Sequence, residues 1–237
     1  MARYHPRFTP DLSRASFLAL FPMARPWLPA ADDKATLGML TRPAEMSLEA
    51  FMGWLAWRCE RPMPNLQGQD WTQESINDLI DHLEGEHHPF LILELDRLDW
   101  LLRQPGMCSD SLAERLRDWI ARKFDHMRQE ESALFPLCRT LENPFTAHAE
   151  TGPALAQMFA SHDQAGEILV QLCDQYAREA AVGQAEPALR GVLARIIQVL
   201  DAHVELEDTI LLPAVAHASD IKRTWRFRQS LEVLQVG

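Results

Sequence analysis

An all-α fold is predicted by this sequence, in the form of an up-down-up-down four-helix bundle preceded by a small helical segment. Glycine is scarce, at 10 of 237 residues, and Leu, Ala, Glu and Arg dominate the middle of the chain, which favours helix. The interruptions between the long helical stretches are short to moderate, as they are in bundles of this topology. Because 47% of the residues are hydrophobic, the chain can also bury a sizeable core.

Residues 1–70 are predicted to form a small N-terminal segment with short helices. Residues 47–60 have the pattern of one amphipathic helix, with Ser47 as its N-cap. Residues 61–71 contain the Pro, Gly and polar residues that are typical of a linker. Prolines interrupt the whole segment, at Pro6, Pro10, Pro22, Pro26, Pro29, Pro43, Pro62 and Pro64.

Four long helices are predicted between residues 71 and 217, where they form the bundle. Pro89 lies inside the first of them, where a proline is expected to kink the helix or to break it. The remaining residues 218–237 are expected to form a C-terminal helix or tail that packs outside the bundle. The predicted helices span roughly 73–104, 109–141, 152–181 and 187–216, with breaks at Pro105-Gly106, Asn143-Pro144 and Gly183.

Charge and cysteine usage limit the function classes. A formal net charge of −11 repels phosphate backbones, so no binding to nucleic acid is expected. The four cysteines are far apart and form no Cys-x-x-Cys motif, which fits a reducing compartment. An apolar stretch near the N-terminus is broken by three prolines and an arginine, so neither a signal peptide nor a membrane span is predicted. These features predict a cytoplasmic protein that does not bind membranes.

One motif occurs twice in the predicted bundle. Residues 124–136 read FDHMRQEESALFP and residues 201–213 read DAHVELEDTILLP, so each copy has a His, a Glu four residues later and a Pro ten residues after the His. A further histidine precedes each copy, by 38 residues for His88 and by 41 residues for His162. The sequence is therefore interpreted as a helical hairpin that is written twice.

Six side chains of this repeat are candidate metal ligands. Residues four apart share one face of a helix, so the His and Glu of each copy point the same way, and the two other helices each add an imidazole. Buried carboxylates without partners cost on the order of several kcal/mol each, which two divalent cations would remove. Two imidazoles per cation and two bridging carboxylates fit iron, with manganese or zinc as alternatives, and leave coordination positions open for a small molecule. The candidates are His88, His126, Glu130, His162, His203 and Glu207.

Several alternatives remain open for these residues. A surface helix also carries His-x-x-x-Glu as a solvated pair, but apolar residues surround both copies here, which favours burial. His87 competes with His88 for the ligand role, and Asp208 competes with Glu207. Glu131 is interpreted as an acceptor behind the site or as a solvated residue. Three acids beside the ligand helices are further candidates for orienting imidazoles, namely Asp81, Asp125 and Asp163.

The stretches that carry these residues also resemble a known family. LIDHLEGEHHPFL, HMRQEESALFP, SHDQAGEIL and HVELEDTILLP are similar to the motifs of hemerythrin-like proteins, also called HHE cation-binding domains. The resemblance covers roughly residues 73–216 and is strongest to the di-iron proteins that repair stress-damaged iron–sulfur clusters. It implies a carboxylate-bridged pair of non-haem iron ions, with the two glutamates as bridges, held by the same six residues.

Two departures from the family pattern bear on function. Oxygen-carrying hemerythrins have a fifth histidine where this chain has Gly166, and they use an Asp at the spacing of Asp208. Repair-type proteins have a short N-terminal domain with an adjacent cysteine pair. The stretch SFLALFPMARPWLPAADDKATLGML has a similar helical character but no cysteine. Residues 1–70 are therefore interpreted as a cysteine-less relative of that domain.

The resemblance implies a di-iron protein that binds or reacts with nitric oxide, oxygen or peroxide. Its expected setting is iron–sulfur-cluster repair or the response to nitrosative or oxidative stress, with a protein partner for iron delivery. The alternative is a non-catalytic hemerythrin-like module that binds or senses iron or oxygen. A third hypothesis is a structural bundle whose polar core holds no metal.

Overall fold

The computed structural model describes residues 8–42, 47–59, 61–65, 69–141 and 152–214. The C-terminal helix or tail expected at residues 218–237 and the break expected at Asn143-Pro144 lie outside these ranges. Within them the regular elements are helical, and a single β-bridge between Ser13 and Thr36 does not extend into a strand. The prediction of an all-α fold is therefore confirmed.

Short helices make up the N-terminal segment. Three of them begin at a side-chain hydroxyl that accepts a hydrogen bond from the first turn, and Ser47 is one of these N-caps, as expected. The helix predicted at residues 47–60 is present. In chain order the elements are α1 (Arg14–Leu20), a 3-10 helix (Pro22–Trp27), α2 (Leu37–Thr41) and α3 (Leu48–Arg58).

Four long helical stretches follow. Gly106 and Gly183, in two of the predicted breaks, have φ angles of 78° and 73°, which glycine adopts without a steric penalty. In the described part of the chain, no helix has both the length and the apolar character that crossing a membrane requires. The stretches are, first, α4 (Ile76–His82), a π-helical turn (Leu83–His87) and α5 (His88–Leu102); second, α6 (Asp110–Gln129), a π-helical turn (Glu130–Leu134) and α7 (Phe135–Leu141); third, α8 (Gly152–Ala181); and fourth, α9 (Pro187–Leu206) and a π-helical turn (Glu207–Leu211).

The four stretches pack as a bundle with two apolar clusters. α5 packs against α6 and α9, and α6 packs against α8. A smaller cluster, which includes Leu83, Phe135 and Leu211, lies at the end of the bundle that contains α4 and α7. The larger cluster, which includes Trp119 and Ile196, fills the bundle on the other side. Along every stretch, the predicted ligands fall between residues of the two clusters, so a polar layer is enclosed by two apolar ones.

Each π-helical turn ends two residues before a proline, which is Pro89, Pro136 or Pro213. A proline has no N–H for the carbonyl four residues earlier, and its ring crowds that carbonyl, so a wider turn relieves the conflict. At Pro89 the carbonyl belongs to Gly85, and it accepts a hydrogen bond from Arg61 Nη2 at 3.0 Å. The first stretch therefore continues through Pro89 by way of a π-helical turn, where the sequence predicted a kink or a break.

The N-terminal segment packs on α5. α3 lies against α5, and Met52 and Leu55 of α3 belong to the larger apolar cluster of the bundle. Arg97 of α5 is buried, and its Nε donates to the carbonyl of Ala56 at 2.8 Å while its Nη1 donates to Glu94 at 2.8 Å. These bonds satisfy a buried cation and hold the C-terminal end of α3 against the bundle. A domain division at residue 70 stays a prediction.

Candidate metal centre

The six residues predicted as metal ligands lie together in the polar layer of the bundle. Each of the four helical stretches contributes at least one of them. All six are buried, with at most 7% of any residue exposed. The structure therefore brings together His88, His126, Glu130, His162, His203 and Glu207.

The four histidines form two pairs. The ring centroids of His126 and His162 lie 5.0 Å apart, and those of His88 and His203 lie 5.1 Å apart. Each pair joins two helices in contact, α6 with α8 and α5 with α9. We call His126 and His162 the open half of the centre, because two cavities reach them, and His88 and His203 the closed half.

Glu130 lies between the two halves and presents one carboxylate oxygen to each. Its Oε1 is 2.6 Å from Nε2 of His126 and 3.9 Å from Nε2 of His162. Its Oε2 is 3.2 Å from Nε2 of His88 and 3.9 Å from Nε2 of His203. Two ligands that share a cation at bond lengths of about 2.0–2.2 Å are themselves roughly 3 Å apart. The carboxylate is therefore placed to bridge two cations, one in each half.

Glu207, and not Asp208, reaches the centre. Its Oε2 lies 3.2 Å from Nε2 of His162 and 3.3 Å from Nε2 of His203, so it also spans both halves. Asp208 lies on the outer side of His162, with its Oδ1 at 3.0 Å from Nδ1. The sequence left the choice between these two acids open, and the structure gives them different positions.

Two acids hold the outer nitrogen of one histidine in each half. Glu131 Oε1 lies 2.7 Å from Nδ1 of His88 in the closed half, and Asp208 takes the same position on His162 in the open half. A carboxylate on Nδ1 keeps the proton there and leaves the lone pair of Nε2 facing the centre. Glu131 is thus an acceptor behind the site, one of the two interpretations that the sequence allowed.

Two other acids considered for orienting imidazoles have different partners. Asp81 pairs with Arg139 at 2.6 Å, and Asp125 pairs with Arg128 at 2.8 Å. Both carboxylates are accessible to solvent, where an arginine is within reach and the buried imidazoles are not. The side chain of Asp163 lies outside the described residues.

Imidazoles and carboxylates of the centre strongly shift one another's pKa. Burial lowers the pKa of His162, but the carboxylates of Asp208, Glu130 and Glu207 raise it more, to about 11. Burial likewise lowers the pKa of His203, and Glu207 and Glu130 raise it to about 9. Burial and Glu130 raise the pKa of Glu207, whereas the imidazoles lower it more, to about 2. In the metal-free protein, protons on the imidazoles balance the carboxylates, and a cation would displace those protons.

The donor set fits divalent transition-metal cations. Nε2 of His88, His162 and His203 is buried and has no hydrogen-bond partner in the described part of the chain. The same holds for all four carboxylate oxygens of Glu130 and Glu207. Buried polar atoms without hydrogen bonds are costly even when ion-paired, and a bound cation would satisfy them. Mixed nitrogen and oxygen donors suit iron, manganese or zinc. Two sets of ligand atoms each lie within 4.8 Å of one another: His126, Glu130, His162 and Glu207 in one, and His88, Glu130 and His203 in the other.

Two cavities reach the open half. One, of about 270 Å³, lies between α6 and α8 and reaches His126, and another, of about 420 Å³, lies between α8 and α9 and reaches His162. Lys123 lines both cavities and is only 5% exposed. Burial lowers the pKa of this ammonium, although Glu130 and Glu207 act against the shift. A small molecule can therefore approach the open half along a path that includes a buried amine.

The sequence interpretation did not identify Lys123 or the surroundings of His87. His87 lies behind the closed half, 1% exposed, with its ring centroid 5.6 Å from that of His203. Burial and the neighbouring histidines lower its pKa to about 2. A lysine in an amphipathic helix usually faces solvent, and the sequence marked His87 only as a competitor of His88 for the ligand role, so neither environment was predicted.

Known proteins are similar to this chain over most of its length. A model of the family described as Hemerythrin HHE cation binding domain matches residues 78–215. The iron-sulfur cluster repair protein YtfE of Enterobacter sp. (strain 638) is 26% identical over 190 residues, which cover 76% of this chain and 82% of that protein. The proteins of the same name from Citrobacter koseri and Escherichia coli O157:H7 are 25% and 24% identical with the same coverage.

Proposed function

Because the chain belongs to the hemerythrin HHE cation binding domain family, we propose that its six buried ligands hold two iron ions in a carboxylate-bridged, non-haem centre. His126 and His162 would hold one ion, His88 and His203 would hold the other, and Glu130 and Glu207 would be shared between them. Manganese or zinc would fit the same donors. When bound, iron supplies a redox centre and a Lewis acid.

The position of Glu130 is the observation that carries this proposal. Each of its oxygens faces a different histidine pair, at 2.6 Å from His126 and 3.2 Å from His88. A single ion would need only one of these pairs, and a structural core would pair these atoms by hydrogen bonds. Seven buried atoms that could ligate a metal make no hydrogen bonds, which favours two cations over a single ion or a structural core.

We propose that the centre binds or reacts with nitric oxide, oxygen or peroxide. The cavities at His126 and His162 admit a molecule of that size to the open half. The apolar clusters on both sides of the polar layer keep bulk water from the closed half. Glu131 and Asp208 hold the protons of His88 and His162 on Nδ1, so that both rings keep their ligand orientation.

The names of the relatives support a role in iron–sulfur-cluster repair, and we propose nitrosative or oxidative stress as its setting. Such a role includes delivery of iron to a protein partner. The second candidate function is a module that binds or senses iron or oxygen without turnover, and it lacks that delivery step. The absence of cysteine before Cys59 favours this candidate, because thiols near the N-terminus would offer a relay for iron.

Metal analysis of the full chain tests the proposal. The metal-free protein is reconstituted with ferrous iron without oxygen, and bound iron is measured together with the absorption spectrum before and after adding nitric oxide. We expect about two irons per chain and a spectral change with nitric oxide. A folded protein that retains less than about half an iron would overturn the di-iron proposal.

Repair is then separated from binding by a second assay. The iron-loaded protein is mixed with an iron–sulfur enzyme that nitric oxide has inactivated, and the recovery of that enzyme is followed. Recovery above that produced by the same amount of free ferrous iron supports repair. Reversible binding of nitric oxide without recovery supports the sensing module.

A further inference from the structure

A third cavity lies behind the closed half of the centre, on the side away from the two cavities already described. Its volume is about 230 Å³, and His82, His87, Trp71 and Glu205 are among the residues that line it. Asn65 and Gln69 add side-chain amides to the same wall. The cavity therefore gathers two imidazoles, a carboxylate and two amides, which are all groups that bind cations.

His87 is the unusual member of this wall. It is 1% exposed, and neither of its ring nitrogens has a hydrogen-bond partner in the part of the chain that the structure describes. A buried imidazole normally donates from one nitrogen and accepts at the other, and leaving both unpaired is costly. The ring therefore lacks a partner that the cavity has room to hold.

The π-helical turn brings His82 and His87 together. Five residues apart in a regular α-helix, they would point about 140° away from each other. The wider turn at Leu83–His87 brings their ring centroids within 4.9 Å. Trp71 stacks on His82 with centroids 4.5 Å apart and fixes the plane of that ring. Two imidazoles held face to edge at this distance can share one cation.

We propose that His82 and His87, with Glu205 and water completing the shell, bind a third divalent transition-metal ion. Imidazole with a carboxylate selects iron, cobalt or zinc over magnesium or calcium, which prefer oxygen donors. The ring of His87 lies 5.6 Å from that of His203, so this outer site adjoins the closed half. If the proposed function holds, the outer site is a position through which iron passes between solvent and the enclosed ion.

Titration of the metal-free full chain with cobalt(II) tests the outer site. Cobalt is followed by its visible absorption and by calorimetry, without oxygen. We expect about three equivalents, of which two bind tightly and one more weakly. His82→Gln should weaken the third equivalent by about tenfold or more and leave the first two unchanged. Magnesium chloride in excess should not compete for it.

Further variants keep the test decisive. His87→Leu should also remove the third equivalent, and Glu205→Gln should weaken it, whereas Glu114→Gln, an exposed acid elsewhere, should have no effect. Binding of only two equivalents by the wild type, or a third that persists unchanged in His82→Gln, overturns the inference and leaves the cavity to water. Loss of the two tight equivalents with retention of the third would instead overturn the di-metal proposal alone.

Discussion

The two halves of the centre have the same ligand chemistry but different surroundings. In the closed half, Phe135 stacks on His88 with centroids 5.6 Å apart, and both histidines are almost fully buried. In the open half, two cavities and Lys123 lie beside His126 and His162. Two histidine pairs of the same chemistry thus form one position suited to retaining an ion and one position suited to meeting a ligand.

The largest expected effect comes from the residue that both halves share. Glu130→Ala removes both carboxylate oxygens, one of which faces each histidine pair. We therefore expect bound iron to fall from about two per chain to nearly none. Glu114→Ala, at an exposed acid of α6, the helix that directly precedes Glu130, is the matched control and should keep both ions. Iron analysis, with circular dichroism to confirm folding, measures the difference. Retention of two irons by the Glu130 variant would contradict the bridging role.

Glu131 and Asp208, the acids on the outer nitrogens of His88 and His162, offer a way to weaken metal binding in one half at a time. Asp208→Asn acts on His162 in the open half, and Glu131→Gln acts on His88 in the closed half. Each should weaken one of the two metal equivalents by about 10- to 100-fold, because such acids orient and polarise the ligand histidines. Stepwise cobalt titration, resolved by calorimetry, measures both equivalents in each variant. Equal losses at both equivalents would show that the halves do not act separately.

Access to the open half can be narrowed without touching a ligand. Gly166 lines the larger cavity, and a Cβ built there meets nothing within 4 Å. Gly166→Leu should slow nitric oxide binding by about tenfold, within the range over which association rates vary among variants of one site. Gly191→Leu, at a glycine of α9 that is equally uncrowded and lies outside the cavities, is the control. Stopped-flow absorption measures the rate.

Both glycine variants should also gain about 0.5–1 kcal/mol of stability, since leucine favours helix over glycine. The gain in stability would confirm that each variant folds, and the rate of nitric oxide binding would then distinguish Gly166→Leu from its control. Equal binding rates in the two variants would mean that ligands reach the iron by another path.

Lys123 gives the smallest expected effect. It is a buried cation beside the open half, and the attraction of Glu130 and Glu207 offsets only part of its desolvation, so its pKa is lowered. Lys123→Met should raise the free energy of unfolding by about 1 kcal/mol, whereas Lys34→Met, at an exposed lysine, should change it by less than about 0.5 kcal/mol. Chemical denaturation of the metal-free proteins measures both. A destabilised Lys123 variant would show that the ammonium has a favourable partner.

Sequence reasoning predicted the regular parts of this molecule well. The bounds of α8, the N-cap at Ser47 and the convergence of six polar residues follow from local patterns, namely periodicity, capping and i,i+4 spacing. The approach of His88 and His162 to the other four residues needed only the additional assumption of a bundle. These features depend on residues near one another in sequence or on a fold with few alternatives.

Other features depend on contacts that no local pattern encodes. The bond from Arg61 to Gly85 allows the helix to pass Pro89, and it joins residues 24 positions apart. The different positions of Glu207 and Asp208 depend on which side of His162 each one meets. The burial of Lys123 depends on α8 and α9 covering it. Propensity and periodicity describe one helix at a time, so they could not predict these three outcomes.

The π-helical turns have a consequence for how this chain can change over time. Such a turn accommodates one residue more than the α-helix around it, while the helix on either side keeps its direction. Deletion of a single residue inside Glu207–Leu211 would therefore restore regular winding and leave the flanking faces in register. We expect length differences among related chains to gather at these turns, and the segments between them to keep a fixed number of residues.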